Sequence, residues 1–201
     1  MLSTLRNLTQ VILAEGKNLN QTNKQTVPSR YRTGLSTHVL AEIVVFVALS
    51  TALSFIIIFQ LPEGGAVTLG SMVPILWLAL RRGPKIGLFA GAVYGLVQLA
   101  VMPQIYYPLQ VLLDYPLAFA CLGLAGFFRK YPLIGVAVAI SGRFVMHFLS
   151  GVFFFAQFAP AGLSPVAYSV IYNASYLLPE MGISLLLIYL LQKSKVLNIY
   201  L

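Results

Sequence analysis

The chain has 201 residues, of which 59% are hydrophobic and only 9% charged, and its formal net charge is +8. A soluble domain carries about 25% charged residues, so this composition excludes one and defines an integral membrane protein. The single cysteine, Cys121, excludes an internal disulfide framework and a cysteine metal cluster; inside an apolar run it reads as a small packing residue.

Residues 1–37 come first. They are polar and basic, hold no apolar core long enough for a signal peptide, and read as a flexible cytoplasmic tail with a short candidate helix around Leu5–Leu13. Six apolar spans follow, forming an all-α membrane domain over 38–192, and a short cytoplasmic tail over 193–201 ends the chain. The spans run His38–Leu61, Ala66–Leu80, Ile86–Met102, Leu109–Phe128, Leu133–Phe158 and Val166–Gln192. A spanning helix needs about 20 residues, so the second is short and is expected to tilt or to start in extended form. Prolines and glycines punctuate the joints, among them Pro62, Gly64, Gly65, Gly83, Pro84, Pro103, Pro108, Pro132, Pro160 and Gly162.

Orientation follows from lysine and arginine. Twelve of the thirteen basic residues fall before span one, after span two, after span four or after span six, and the loops after spans one, three and five carry none. Both termini are therefore expected in the cytoplasm. The same placement explains the positive charge as topology, with lipid and not nucleic acid as the surrounding partner. Small residues mark packing faces: Ala48 and Ala52 lie four apart in span one, and Gly87, Gly91 and Gly95 form a GxxxGxxxG row in span three. The glycine row reads as packing inside this chain. No internal repeat appears, so an inverted-repeat transporter is not indicated.

Polar groups at membrane depth are costly, so they are functional candidates by default. Span four carries Gln110 and Asp114 on one face, span five carries Arg143 and His147 on one face, and span six carries Tyr168 and Asn173. At 1.5 Å per residue, Asp114 lies about 8 Å below the outer end of its span, His147 about 12–16 Å, and Tyr168 and Asn173 about 3 and 10 Å. These groups converge on the outer third of the bundle and define a pocket open to the outside. A buried carboxylate needs donors or a cation, so Asp114 is satisfied by His147, by tyrosine hydroxyls or by a ligand cation. Tyr106, Tyr107, Tyr115, Phe155, Tyr172 and Tyr176 are aromatic candidates by position, suited to a planar or cationic ligand. Deeper, Arg143 and Glu180 match in depth and are expected to form a buried ion pair that braces spans five and six. The competing arrangement gives Glu180 backbone or hydroxyl donors and sends Arg143 to Glu42.

The sequence holds no G-x-S-x-G, HExxH or P-loop, and Ser150, three residues after His147, has no activating context. No catalytic residue, cofactor or metal site is expected, and any ATP-driven step falls to a partner. A membrane enzyme using Asp114 and His147 as acid and base is the alternative from another class.

The turn Pro62–Gly65, the segments LRRGPKIG (Leu80–Gly87), LLDYPLAF (Leu112–Phe119) and GLAG (Gly123–Gly126), and the pair HFLSGVFFF (His147–Phe155) and YSVIYN (Tyr168–Asn173) resemble, in this order, the thiamine-specific S components of energy-coupling factor transporters, the ThiT family. The resemblance covers about residues 38–192. It implies a six-helix subunit that binds thiamine near the outer face. It also implies docking on a coupling module made of the transmembrane protein EcfT and two ATPases, EcfA and EcfA'. By motif, Asp114 holds the family's acidic position, followed by Tyr115, and His147, Tyr168 and Asn173 match its ligand-contacting residues. Phe155 falls where some members have a stacking tryptophan, and the loop at Gly64 and Gly65 lacks the tryptophan known in some members. The only tryptophan here is Trp77, toward the cytoplasmic end of span two. Docking through small residues on the first helix points to Ala48 and Ala52. Another vitamin or a thiamine precursor is the alternative ligand within the class.

Overall fold

The structure is a computed structural model and describes residues 36–194. The tail expected over 1–37, with its candidate helix, lies outside the described residues except for its last two positions, as does the C-terminal tail beyond residue 194. Among the described residues six helices follow in order: α1 (Thr37–Ser54), α2 (Val73–Arg82), α3 (Pro84–Val101), α4 (Pro108–Phe128), α5 (Pro132–Phe154) and α6 (Pro165–Lys193). All but α2 are long and apolar enough to cross a membrane. Proline stands in the first turn of α2 to α6, where its missing N–H is no loss.

Six helices stand where six spans were expected, five of them long and apolar enough to cross a membrane, and the joint between the first two departs from the expected spans. Span one does not continue to Leu61. Its helix stops at Ser54, and Ile57–Gln60 forms strand β1, which pairs antiparallel with β2 (Ala66–Thr68). Span two accordingly starts extended, and its helix is only 10 residues, too short to cross a bilayer. Non-helical backbone at membrane depth is tolerated where protein covers it or where it lines a cavity. Here Val67 and Thr68 are buried against the bundle. The hairpin turn carries Glu63 in the left-handed region (φ 60, ψ 19), followed by Gly64 at φ 86. Span five likewise ends as a helix at Phe154, and Ala156–Phe158 forms a short 3-10 turn.

The glycine row packs inside the chain, as its spacing suggested. A Cβ on Gly91 would run into the backbone carbonyl of Phe119, and one on Gly95 into that of Tyr115, so α3 and α4 meet backbone to backbone. α4 is itself irregular. Pro116 sits inside it without an N–H, the helix widens to π geometry over Leu113–Leu117, and it tightens to 3-10 over Cys121–Phe128. α5 packs along α6 and against α4, which completes three walls of the pocket. α1 touches the bundle through side chains: Phe46 packs edge-on to Trp77 at 6.2 Å, Gln98 Nε2 donates to Ser54 Oγ at 2.9 Å, and Arg82 forks onto Glu42 at 2.5 and 2.7 Å.

Candidate functional site

A cavity of about 430 Å³ lies between the hairpin, α3, α4, α5 and α6. That volume falls within the ~300–1,000 Å³ of small-molecule sites. The widened turn of α4 aims Asp114 into it. Asp114 Oδ1 sits 2.9 Å from His147 Nδ1, while Oδ2 accepts from Gln110 Nε2 at 2.7 Å and from Ser150 Oγ at 2.8 Å. The carboxylate is thus oriented by two donors and the His147 ring, and remains partly open to the cavity, with 15% of its side chain exposed.

The six positions expected to bind ligand, Asp114, Tyr115, His147, Phe155, Tyr168 and Asn173, all line this one cavity. Their jobs differ. Tyr115 is buried, and its hydroxyl donates to Met102 O and accepts from Gln104 N, so it anchors the loop after α3. Asn173 is held rigidly: Nδ2 donates to Ser169 O at 2.9 Å and Oδ1 accepts from Tyr176 Oη at 2.9 Å. Gly151 lets α5 approach α6 closely here, since a Cβ there would strike Ser169 Oγ. Phe155 meets Tyr106 edge-on at 5.2 Å and forms an aromatic rim. Ala48 and Ala52 lie elsewhere, on the exposed side of α1 and away from the cavity lining.

The hairpin covers the cavity. Tyr172 Oη accepts from Gly65 N at 3.0 Å and donates to Pro62 O. A Cβ on Gly65 would lie 2.8 Å from the Tyr176 ring and 2.9 Å from Tyr172 Oη, so only glycine lets the turn rest on α6. At the rim Tyr106 Oη donates to Glu63 Oε2 at 3.3 Å; partial desolvation and the Glu63 carboxylate push this phenol up, which keeps it a donor. Beneath it, Gln110 is fully buried, accepts from Tyr106 N and Tyr107 N, and donates to Gln104 O as well as to Asp114. The rim loop and the carboxylate are thereby tied through one side chain. The sequence reading missed Glu63, Gln104 and Ser169 as cavity residues; the Pro-Glu-Gly-Gly cluster signalled a turn and not a cover.

The expected Arg143–Glu180 ion pair does not form. Glu180 Oε1 instead accepts from Thr68 N at 2.5 Å and Thr68 Oγ1 at 2.6 Å, because β2 runs past α6 and supplies two donors at once. Arg143 does not reach Glu42, which is held by Arg82 and Arg81. Its Nε donates to His147 Nε2 at 3.2 Å, Nη1 points at Met72 Sδ at 2.7 Å, and the guanidinium lies 4.1 Å over the Phe119 ring. Among the described residues no group of three or more His, Cys, Asp and Glu is placed to hold a metal ion.

Fold and site together define a multi-pass membrane protein built around a polar, aromatic-lined cavity of small-molecule size. The family model described as "Thiamine transporter protein (Thia_YuaJ)" matches residues 40–199, and the chain belongs to this family of transporters, which are not enzymes. It is 35% identical over 171 residues to thiamine transporter ThiT of Bacillus subtilis (strain 168), covering 76% of this chain and 88% of that one. It is 32% identical over 122 residues to thiamine transporter ThiT of Lacticaseibacillus paracasei, covering 51% of this chain and 61% of that one. Its fold matches a structure of ThiT from Listeria monocytogenes with a TM-score of 0.71 at 26% identity, over 78% of this chain and 93% of that one.

Proposed function

We propose that this chain is the substrate-binding S component of an energy-coupling factor importer, which captures thiamine in the hairpin-covered cavity at the outer face. It releases the vitamin to the cytoplasm when docked on EcfT and the ATPases EcfA and EcfA'. The observation that carries the reading is the convergence of Asp114, His147, Asn173 and the tyrosines on one cavity in a chain of the thiamine transporter family. Thiamine joins a permanently cationic thiazolium to an aminopyrimidine that stacks and hydrogen-bonds. Asp114 supplies the negative charge, Asn173 and Tyr168 supply polar contacts, and Phe155, Tyr106 and Tyr172 supply aromatic surface and cover. The exposed stripe of Ala48 and Ala52 on α1 gives the coupling protein a smooth surface to approach.

Mass spectrometry of small molecules released from the purified, denatured protein tests the ligand. Thiamine in near-stoichiometric amount is the expected result. Another vitamin or a thiamine precursor in its place would overturn the ligand assignment.

A further inference from the structure

We propose that Arg143 is a positioning residue for the ligand site: it occupies His147 Nε2, holds the imidazole neutral with its proton on Nδ1, and so leaves the Asp114 charge for a cationic aromatic ligand. This rests on the reading of the cavity as a thiamine site.

A guanidinium donates and never accepts, so His147 Nε2, 3.2 Å from Arg143 Nε, presents its lone pair. An ionised carboxylate accepts and never donates, so the ring proton lies on Nδ1, 2.9 Å from Asp114 Oδ1. Both ring nitrogens are then used within the protein. A second proton on Nε2 would set two N–H groups against each other. The positive charge of the cluster therefore sits on Arg143, where Phe119 and Met72 hold it, and not on the imidazole beside Asp114.

Two consequences follow. His147 offers the ligand its ring face and not a hydrogen-bonding edge. Asp114 is not neutralised by an adjacent imidazolium, so a ligand cation meets an available carboxylate. Without Arg143, the Asp114–His147 pair would favour the doubly protonated ring, and that imidazolium would compete with the ligand for the same oxygens. The other titratable groups around the cavity are Tyr94 from α3, Tyr115 from α4, Tyr168, Tyr172, Tyr176 and Glu180 from α6, and Glu63 from the hairpin rim. Of these, Tyr176 packs its ring edge-on to His147 at 6.2 Å and gives its hydroxyl proton to Asn173, while Glu180 takes Thr68 on Oε1 and keeps Oε2 buried without a hydrogen-bond partner.

The test uses the full chain labelled with ¹⁵N-histidine in detergent. The sequence has two histidines, and a His38→Gln background leaves His147 alone. Long-range ¹H–¹⁵N spectra of the ligand-free protein are expected to show the neutral Nδ1–H pattern unchanged between about pH 5 and pH 8. Thiamine affinity is expected to stay flat over that range. Arg143→Met keeps the packing on Phe119 and removes the donor; its ring should gain a second proton within the range. Its affinity should then fall toward about tenfold per pH unit on the acid side. A wild-type ring that shows the Nε2–H or imidazolium pattern at about pH 7 overturns the proposal, as does an Arg143→Met variant with the wild-type pH profile. The wild-type spectrum decides the tautomer even if the variant fails to fold. A neutral Nδ1–H ring in a protein that binds no thiamine removes the functional reading and supports the His147 assignment.

Discussion

Replacing Asp114 with asparagine is the perturbation that probes the site most sharply, because every donor around that carboxylate expects an acceptor. In the structure Oδ1 faces His147 Nδ1, and Oδ2 takes Gln110 and Ser150. Asparagine keeps one carbonyl and adds an N–H₂. If the carbonyl stays with Gln110 and Ser150, the amide faces His147 Nδ1 and drives the ring proton toward Nε2, against Arg143. If the amide is flipped, it opposes Gln110 and Ser150. Either way at least one buried donor loses its partner and the ligand cation loses its counter-charge. Truncating a buried charge partner costs about 2–5 kcal/mol, and the 15% exposure of Asp114 places this case at the low end. A loss of about 2–3 kcal/mol is a weakening of about 30- to 150-fold. Titration calorimetry of thiamine into wild type and variant reads it directly, with a thermal melt of the ligand-free variant to show retained fold. An Asp114→Asn protein that binds thiamine within about twofold of wild type would refute the reasoning, because the carboxylate would then contribute no charge to the site.

Gly91→Ala should destabilise by about 1–3 kcal/mol, since the added methyl meets the rigid Phe119 carbonyl; a lowered melting temperature in detergent checks it, and an unchanged one contradicts the backbone contact of α3 and α4. Tyr172→Phe removes the hydroxyl that ties both Gly65 and Pro62, so thiamine should dissociate faster, by up to about tenfold, in a stopped-flow release experiment; unchanged release would separate hairpin closure from Tyr172. Replacing Ala48 and Ala52 together with leucine should abolish ATP-driven uptake in vesicles carrying the coupling module while the isolated subunit still binds thiamine; lost binding with intact assembly would reverse the assignment of that face.

Much of the bundle was legible because hydropathy, turn residues and the lysine and arginine bias all vary on the scale of a whole span. The hairpin was not. Ile57–Gln60 is as apolar as the helix it follows, and nothing local separates a strand under a cover from one more helical turn. What fixes β2 is distant: Thr68 gives Glu180 two donors across 112 positions of chain. The same contact explains the ion-pair error. Depth matching brought Arg143 and Glu180 to one level, but a side-chain pair loses to a strand that delivers a backbone and a hydroxyl donor together. Arg143 and His147, by contrast, share a helix face at four-residue spacing, and their contact was within reach of the sequence. The six lining positions were legible as polar or aromatic groups in apolar spans. Their division of labour, with Tyr115 as a loop anchor and Gln110 as the link between rim and carboxylate, depends on backbone partners that no spacing rule names.

A crystal structure of the protein with thiamine at saturating concentration shows directly whether the vitamin occupies this cavity. The ligand is expected beneath the Pro62–Gly65 turn, with one ring against Asp114 and Asn173 and an aromatic face on the His147 imidazole. Thiamine bound outside this cavity, or a cavity that stays empty while the protein is saturated, would contradict this expectation.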